Sequence, residues 1–348
     1  MLSLFQRNRN LRVVRNKLVE MRRSQVILTV LILLAVLSLW IFGPREPADL
    51  KTSFDEKSLG SNLDFYLETV EAKLPDIVPG TEKRIIWHGA PHQKTPVSIV
   101  YLHGFSASSE EIRPVPDEVA KSMKANLYFA RLTGHGRSAE AMGEATAAAW
   151  MHDIAEALAI ARRLGDRVIL ISTSTGGTLS AVAACDPLLA KDIAGIVFIS
   201  PNFGVNNPAA RLLTWPFARS WVPPLFGTVR KFDAVSAAHE KYWTNGYPLV
   251  ATLPMAALVK KVVRKDFGTV DIPALFIMSD NDQVVRPDMI DKIASRWGGR
   301  KHMYKVNPGP NDDKEAHVIA GDIFSPDLTE DVVKEILDWL SELHKSKE

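Results

Sequence analysis

Short apolar runs alternate with segments of helical pattern along the chain from about residue 82. The runs are rich in Val, Ile, Leu and Phe, which is typical of strands covered on both faces of a sheet. They predict strands over Arg84–His88, Val97–Leu102, Leu127–Arg131, Val168–Ile171, Ile196–Ile199, Ala274–Met278 and Met303–Val306. Helices are predicted near Glu111–Met123, Thr146–Leu164, Thr178–Leu189, Pro287–Trp297 and Thr329–His344. This alternation predicts an α/β domain over residues 82–348, with a mostly parallel, doubly wound sheet.

A long apolar segment precedes that domain. No charged residue occurs between Ser24 and Pro44, and residues 26–43 are almost continuously apolar. A helix over this segment would span roughly 30 Å, enough for the hydrocarbon core of a bilayer. Trp40 lies near its far end, where an aromatic residue at the membrane interface is expected. The pattern predicts one transmembrane helix over residues 26–43.

The residues before the apolar segment are strongly basic. Residues 1–25 hold seven Arg and Lys against Glu20 alone, whereas the net charge of the whole chain is only +2. A cleaved signal peptide would have a shorter apolar core and an A-x-A-like cleavage site, which Trp40-Ile-Phe-Gly-Pro44 does not provide. We therefore favour an uncleaved signal anchor, with a cytoplasmic arm and the main domain across the membrane, periplasmic or extracellular in a bacterium. Since the excess basic charge belongs to the arm, nothing predicts nucleic-acid binding by the domain.

Two further segments interrupt the pattern. Residues 44–81 are mixed and polar with four prolines, and they predict a juxtamembrane linker with one short helix around Leu59–Leu74. Residues 203–270 are rich in Trp, Tyr, Phe and Pro without a clear strand, and they are too long for a plain connection. Because they precede the predicted strand Ala274–Met278, we interpret them as a helical cap over the site. An enlarged set of core helices is the alternative.

The predicted strand Val168–Ile171 ends in Ser172-Thr-Ser-Thr-Gly176, and an Ala-rich segment of helical character follows. Strand, sharp turn and helix with a serine at the apex describe a nucleophile elbow, in which large side chains two positions either side of the serine would clash. Of the four hydroxyl residues, only Ser174 has small residues, Ser172 and Gly176, at both positions. A Ser/Thr-rich helix N-cap is the alternative. The elbow interpretation makes Ser174 the candidate nucleophile.

A serine nucleophile needs a base that takes its proton and an acid that orients the base. Ser279-Asp-Asn-Asp282 follows the predicted strand Ala274–Met278, and a carboxylate just past a strand end points to the edge where sites form. We prefer Asp282 as the acid and keep Asp280 as the alternative, although both could be solvated turn residues. Of nine histidines, only His317 lies between the last predicted strand and the last predicted helix, which makes it the candidate base.

Two backbone N–H groups should stabilise the oxyanion that forms when a serine attacks a carbonyl. One is predicted at Thr175, directly after the candidate nucleophile, and the other in the loop after an early strand. The predicted strand Val97–Leu102 runs into His103-Gly-Phe105, where the glycine lets the backbone come close to the serine. Phe105 is therefore the second predicted donor, and we interpret His103 as structural.

The cysteine content and the spacing of possible metal ligands give little further information about function. Cys185 is the only cysteine, so it cannot form a disulfide within the chain, and we interpret it as a small buried hydrophobe. Cys and His do not cluster with metal-ligand spacing. Neither a metal nor an organic cofactor is expected.

The motifs described above occur in the order found in a known superfamily. The His103-Gly-Phe turn, Gly134-His-Gly-Arg-Ser138, the elbow, Ser279-Asp-Asn-Asp-Gln-Val and Glu315-Ala-His-Val together resemble the α/β-hydrolases. The chain is most similar to the branch with monoacylglycerol lipases, lysophospholipases and serine aminopeptidase-like hydrolases. The resemblance implies a Ser174–Asp282–His317 triad and an oxyanion hole at Phe105 and Thr175. Two small residues depart from the usual pattern, because Ser172 and Ser279 stand where glycines are common.

This resemblance, the anchor and the aromatic cap predict a membrane-anchored serine hydrolase that cleaves carboxylic esters. The expected substrate is a small-molecule or lipid ester, such as an acylglycerol, because the cap offers apolar side chains and the anchor keeps the domain near lipid. Two alternatives remain open, since this fold hosts many functions. One is a peptidase or amidase, and the other is a catalytically silent binding module.

Overall fold

The structure is a computed structural model that describes the backbone of residues 2–345 and the side chains of all of these except residues 2–8, 10–14 and 344. Met1 of the predicted arm and residues 346–348 of the predicted domain lie outside the described residues. The chain divides into two units. The first holds the residues up to Arg45 together with Trp215–Phe217, and the second holds Glu46–Thr214 and the residues from Ala218 onward.

The helices and strands of the described residues alternate from residue 84 onward. The helices are α1 Leu2–Phe42, α2 Leu63–Glu71, α3 Val115–Met123, α4 Ala147–Leu164, α5 Thr175–Ala184, α6 Pro187–Ala190, α7 Ala218–Phe226, α8 Ala237–Tyr242, α9 Thr252–Val262, α10 Pro287–Arg296 and α11 Pro326–Lys345. The strands are β1 Arg84–Ile86, β2 Thr95–Leu102, β3 Asn126–Phe129, β4 Gly165–Thr173, β5 Ile193–Ile199, β6 Val229–Lys231, β7 Gly246–Pro248, β8 Ala274–Met278 and β9 Lys301–Lys305.

Seven strands form one sheet in the order β1-β3-β2-β4-β5-β8-β9. Only the edge strand β1 runs antiparallel to its neighbour, and the remaining pairs are parallel. The prediction of a mostly parallel sheet is therefore confirmed. Because parallel strands end at the same edge, the loops after β2, β4 and β8 meet there.

Apolar side chains on both faces of the sheet explain the continuous apolar runs. In β2, Val100 and Leu102 belong to the core beneath α4, α5 and α10, whereas Ile99 and Tyr101 belong to the core beneath α3 and α11. All four side chains are fully buried. Since successive strand residues point to opposite faces, a sheet covered on both sides needs apolar residues at nearly every position.

The segment predicted as a linker packs on the second unit. Leu59, Leu63 and Leu67 are buried in the same core as α4, because leucines spaced four residues apart lie on one face of the chain around α2. Beyond them, the buried Glu71 carboxylate accepts hydrogen bonds from both Nε and Nη2 of Arg131, at 2.9 and 2.8 Å. The packed part of the chain thus begins before residue 82.

The segment predicted as a cap, residues 203–270, contains α7, α8 and α9. It also contains the short antiparallel pair β6–β7, which the sequence interpretation missed because two three-residue strands show no alternation. Leu258 and Val262 of α9 are buried in the main core, as in the alternative of enlarged core helices. Other parts of the segment are hydrogen-bonded to the loops at the carboxyl edge of the sheet. The Thr244 N–H donates to the Ser106 C=O and the Asn206 N–H donates to the Val284 C=O, each at 2.8 Å.

The first unit is dominated by the 41-residue helix α1. Its part Arg15–Phe42 is long and apolar enough to cross a membrane, and its most apolar window is not buried by any other part of the described chain. A signal sequence near an N-terminus also meets this criterion of length and composition. Near the end of the helix, Trp40 packs edge-on against Trp215 of the same unit, with ring centroids 4.9 Å apart.

Candidate active site

Ser174 stands alone between the end of β4 and the start of α5. Its φ of 48° is the left-handed region, which a non-glycine residue occupies only when the surrounding structure holds it there. Two backbone bonds do so, because its N–H donates to Ile199 C=O at 3.1 Å and its C=O accepts the Asn202 N–H at 2.9 Å. A side chain at Gly176 would begin 2.2 Å from the Leu102 carbonyl oxygen, so the elbow requires a glycine there.

Asp282 and His317 meet at the same sheet edge. The Asp282 Oδ2 and the His317 Nδ1 are 2.8 Å apart, and both side chains are buried. The other carboxylate oxygen of Asp282 accepts the N–H groups of Val284 and Val285, each at 2.8 Å. Asp280, the alternative acid, is instead exposed and pairs with Lys305 Nζ at 2.8 Å. Of the two aspartates, the structure brings only Asp282 to His317.

The environment of His317 favours its protonated form. Burial alone would lower the pKa of the imidazole, but the charge and hydrogen bond of Asp282 outweigh it and raise the pKa above its ordinary value. Glu111 and Asp313 raise it further. The Asp313 Oδ2 also accepts the backbone N–H of His317 at 3.0 Å, which fixes the loop that carries the imidazole. Sequence reasoning missed Asp313, whose only signal was its place four residues before the histidine.

The loop that carries Phe105 passes directly beside the elbow. An added side chain at Gly104 would begin 3.1 Å from the Ser174 Cβ, so only glycine allows the backbone to come this close. The His103 Nδ1 lies 2.8 Å from the Gly104 carbonyl oxygen, and its Nε2 accepts the Leu132 N–H at 3.1 Å. His103 therefore carries its proton on Nδ1, and burial lowers its pKa to about 4.

The His103 hydrogen bond determines where the Phe105 N–H points. The Gly104 C=O and the Phe105 N–H belong to one planar peptide unit and point in opposite directions. Holding the carbonyl on one side therefore orients the amide on the other. Thr175, the other predicted donor, is the first residue of α5, where the backbone N–H groups of a helix have no partner within the helix.

Glu111 is a buried acid that sequence reasoning placed only at the start of a helix. Its Oε2 accepts the Gly104 N–H and the Tyr101 O–H, both at 2.7 Å. The Tyr101 hydroxyl also lies 3.1 Å from the Thr173 Oγ1. Burial raises the pKa of Glu111 to about 7. The only sequence signal was an acidic pair, Glu110-Glu111, in the loop after β2, which is more typical of a solvated turn.

The arrangement suits acyl transfer through an activated serine. Because Asp282 binds the Nδ1 of His317, the Nε2 is the ring atom left to exchange a proton. Among residues 2–345, no group of His, Cys, Asp and Glu side chains that could hold a metal is found where side chains are described. The groups that the described residues bring to this edge are a serine hydroxyl, an imidazole paired with a carboxylate, and backbone N–H groups.

Comparison with known proteins agrees with this architecture. The family model described as "Serine aminopeptidase, S33" matches residues 93–310, which is more than half of the chain. The chain belongs to this family of α/β-hydrolases. The family expected from the motifs is therefore confirmed.

Individual relatives of this S33-family chain include lipases. It is 27% identical to a thermostable monoacylglycerol lipase of Bacillus sp. (strain H-257) over 198 residues, which cover 57% of this chain and 75% of the lipase. Among solved structures, a study of the metagenome-derived lipolytic enzymes LipS and LipT provides a chain with a TM-score of 0.61 and 20% identity, covering 76% of this chain and 99% of that one. A soluble variant of the Saccharomyces cerevisiae monoglyceride lipase gives a TM-score of 0.54 and 13% identity, covering 75% and 91%. The protein is a serine hydrolase of the lipase and esterase type.

Proposed function

We propose that Ser174, His317 and Asp282 form a catalytic triad that cleaves carboxylic esters through an acyl-enzyme. The observation that carries the proposal is the 2.8 Å contact between His317 Nδ1 and Asp282 Oδ2, at the sheet edge where Ser174 occupies the elbow. A buried acid in this position holds the imidazole in the tautomer that a general base needs. Asp280, being exposed and paired with Lys305, serves as a surface residue in this proposal.

The proposed reaction runs in two halves. His317 Nε2 takes the proton of the Ser174 hydroxyl as the oxygen attacks the ester carbonyl, and the oxyanion is bound by the N–H groups of Phe105 and Thr175. The protonated His317 then gives its proton to the leaving alcohol. Water attacks the acyl-enzyme in the second half, with His317 again as the base, and the carboxylic acid leaves.

We further propose that the acyl group is apolar and that the substrate is a lipid ester of the acylglycerol kind. The similarity to a monoacylglycerol lipase supports this class. So does the ring of Phe105, whose neighbours at centroid distances of 5.3 to 6.1 Å are His135, Trp150 and the cap residue Tyr247. An apolar surface beside Ser174 would gain affinity from an aliphatic chain without a specific polar contact.

The exposed apolar surface of α1 supports a membrane anchor. We propose that residues 26–43 cross the membrane, that the basic arm 1–25 stays in the cytoplasm and that the hydrolase domain lies on the opposite side. Detection of a peptide from residues 1–25 in the mature, membrane-bound protein tests this arrangement, combined with protease treatment of intact cells. Recovery of the mature protein without that peptide would replace the anchor by a cleaved signal sequence.

A substrate panel with a nucleophile control tests the ester proposal. Purified full-length protein in detergent is offered 1-monolauroylglycerol, p-nitrophenyl butyrate and an aminoacyl p-nitroanilide, beside Ser174→Ala. We expect turnover of both esters by the parent, no turnover by the variant, and little cleavage of the anilide. The family's description as a serine aminopeptidase makes the anilide the specific competitor. Preferential cleavage of the anilide would make the protein a peptidase, and no turnover of any substrate would favour the silent binding module.

A further inference from the structure

Glu111 contacts the segment of one proposed oxyanion donor directly and is linked to the segment of the other through Tyr101. On one side its Oε2 accepts the Gly104 N–H, directly before Phe105. On the other side the same oxygen accepts the Tyr101 O–H, which has a single proton to give. The contact between Tyr101 and Thr173 is therefore donated by the Thr173 hydroxyl. Thr173 directly precedes Ser174, so one carboxylate oxygen links the oxyanion loop to the elbow.

The position of this carboxyl is set by close packing. A Cβ atom added at Gly104 would lie 2.5 Å from the Oε1 of Glu111 and 3.1 Å from the Cβ of Ser174. Glu111 and Ser174 are thus both packed against Gly104. The side chain of Glu111 is only 3% exposed, so losing its acceptor would leave the buried Gly104 N–H without a partner in the protein. An unpaired buried amide is destabilising and favours rotation of the peptide toward another acceptor.

We propose that Glu111 is a positioning residue of the oxyanion hole, which holds the peptide before Gly104 while His103 holds the peptide after it. The two side chains fix both peptide units that flank Gly104, and this orients the Phe105 N–H toward the carbonyl bound at Ser174. The inference rests on the proposed ester hydrolysis for its kinetic consequence only. What matters is where the acceptor oxygen lies, since a negative charge near a developing oxyanion would oppose the reaction.

Four variants separate the position of the oxygen from its charge. Glu111→Gln keeps the reach and an acceptor oxygen but removes the charge. Glu111→Asp keeps the charge but withdraws it by one methylene, and Glu111→Leu removes the acceptor. Glu110→Gln is the matched control, because that neighbouring acid pairs with Arg84 and Arg113 at 2.7 and 2.9 Å. Thermal unfolding of each full-length variant establishes that it is folded.

Steady-state hydrolysis of p-nitrophenyl butyrate is the first measurement. We expect kcat to fall about 10- to 100-fold in Glu111→Asp and Glu111→Leu, with KM changed less than about twofold. The reason is that a misplaced oxyanion donor weakens binding of the transition state but not binding of the substrate. Glu111→Gln and Glu110→Gln should keep kcat within about threefold of the parent. Retention of kcat by Glu111→Asp together with its loss in Glu111→Gln would overturn the proposal in favour of a charge effect on His317.

Hydrogen–deuterium exchange of the loop 103–108 is the second measurement, and it does not depend on catalysis. Exchange should accelerate in Glu111→Asp and, where it folds, in Glu111→Leu, and it should stay at the parent rate in Glu111→Gln. Unchanged exchange in Glu111→Asp would overturn the positioning role. If the parent hydrolyses no ester but the variants show the expected exchange rates, the proposed function is wrong and the positioning of the loop by Glu111 is still supported.

Discussion

The carboxyl edge of the sheet and the cap segment 203–270 differ in how firmly their side chains are held. At the sheet edge, Ser174 and His317 are fixed by backbone hydrogen bonds, and both carboxylate oxygens of Asp282 have partners. The cap is also joined to the site loops by backbone hydrogen bonds, but its helix α7 buries only Ala218 and Val222, with Trp221 partly buried against the same small cluster. Catalysis needs atoms held within fractions of an ångström, whereas partly exposed apolar side chains can adapt to different apolar groups.

A second contrast lies in exposed apolar surface. Residues 97–102, 168–173 and 274–278, the parts of β2, β4 and β8 next to the site, are buried, while Leu225, Phe226 and Val235 of the cap are 70%, 57% and 71% exposed. Substitutions at the sheet edge should therefore act on the chemical step, and those in the cap should act on substrate affinity. The predictions below test this division.

The largest effect is expected at the acid. Asp282→Asn should lower kcat by about 10,000-fold, because the amide no longer holds His317 in the tautomer that accepts a proton. Asp280→Asn is the matched control, and its kcat should stay within about twofold of the parent, since Asp280 contacts only Lys305 at the surface. Ester hydrolysis by the two purified variants is the measurement. A large loss in the Asp280 variant would reassign the acid.

The elbow glycine should tolerate no side chain. Gly176→Ala places a methyl group 2.2 Å from the Leu102 carbonyl oxygen, and we expect a loss of about 1–3 kcal/mol in the free energy of unfolding together with reduced activity. At Gly143, an added methyl group would lie 3.5 Å from its nearest neighbour, so Gly143→Ala serves as the control. Urea unfolding of both variants measures the difference. Equal stability of the two would contradict the steric account.

Activity should fall in acid as His317 becomes protonated. The base must be neutral, and Asp282 raises its pKa above the ordinary value of about 6.5, so kcat/KM should fall about tenfold per pH unit below a midpoint above 6.5. Removing the carboxylate in Asp282→Asn takes away charge that stabilises the imidazolium, so the midpoint should move to lower pH. A parent midpoint below 6.5 would contradict this sign.

The smallest effect is expected in the cap. Phe232 packs on the Tyr247 ring at 6.4 Å, next to Phe105. Phe232→Ala should raise KM for a long-chain ester about three- to tenfold and change kcat by less than about threefold, because acyl contacts made equally in the ground and transition states affect binding alone. The exposed Val235→Ala is the control. A loss of kcat in Phe232→Ala as large as in Asp282→Asn would contradict the assignment of the chemical step to the sheet edge and of substrate affinity to the cap.

The proposed triad was more predictable from sequence than its surroundings. Ser174 and Asp282 follow the buried apolar ends of β4 and β8, and the order of parallel strands brings their loops together. His317 follows the more polar edge strand β9, and its prediction rested on its place between the last strand and the last helix. The contacts of Glu111 were not predictable, because an acidic pair in a polar loop has the same local pattern whether it is solvated or buried. Glu71 likewise pairs with Arg131, which lies 60 positions further along the chain and is brought next to it only by the tertiary fold.

The structure of the cap was also only partly predictable from the sequence. Its aromatic content marked residues 203–270 as unusual, but nothing in the local pattern separates α9, which packs in the main core, from α7 and α8. The strands β6 and β7 are three residues each, too short to show alternation, and the segment between them contains α8.

Labelling with a fluorophosphonate probe tests the central claim most directly. The probe reacts only with a serine whose proton is removed by a nearby base, so we expect one adduct on the purified full-length protein, mapped by peptide mass to Ser174 and absent from Ser174→Ala. The same adduct should form far more slowly in Asp282→Asn. Labelling of another serine, or no labelling of folded protein that also hydrolyses no ester, would contradict the assignment of Ser174 as the nucleophile.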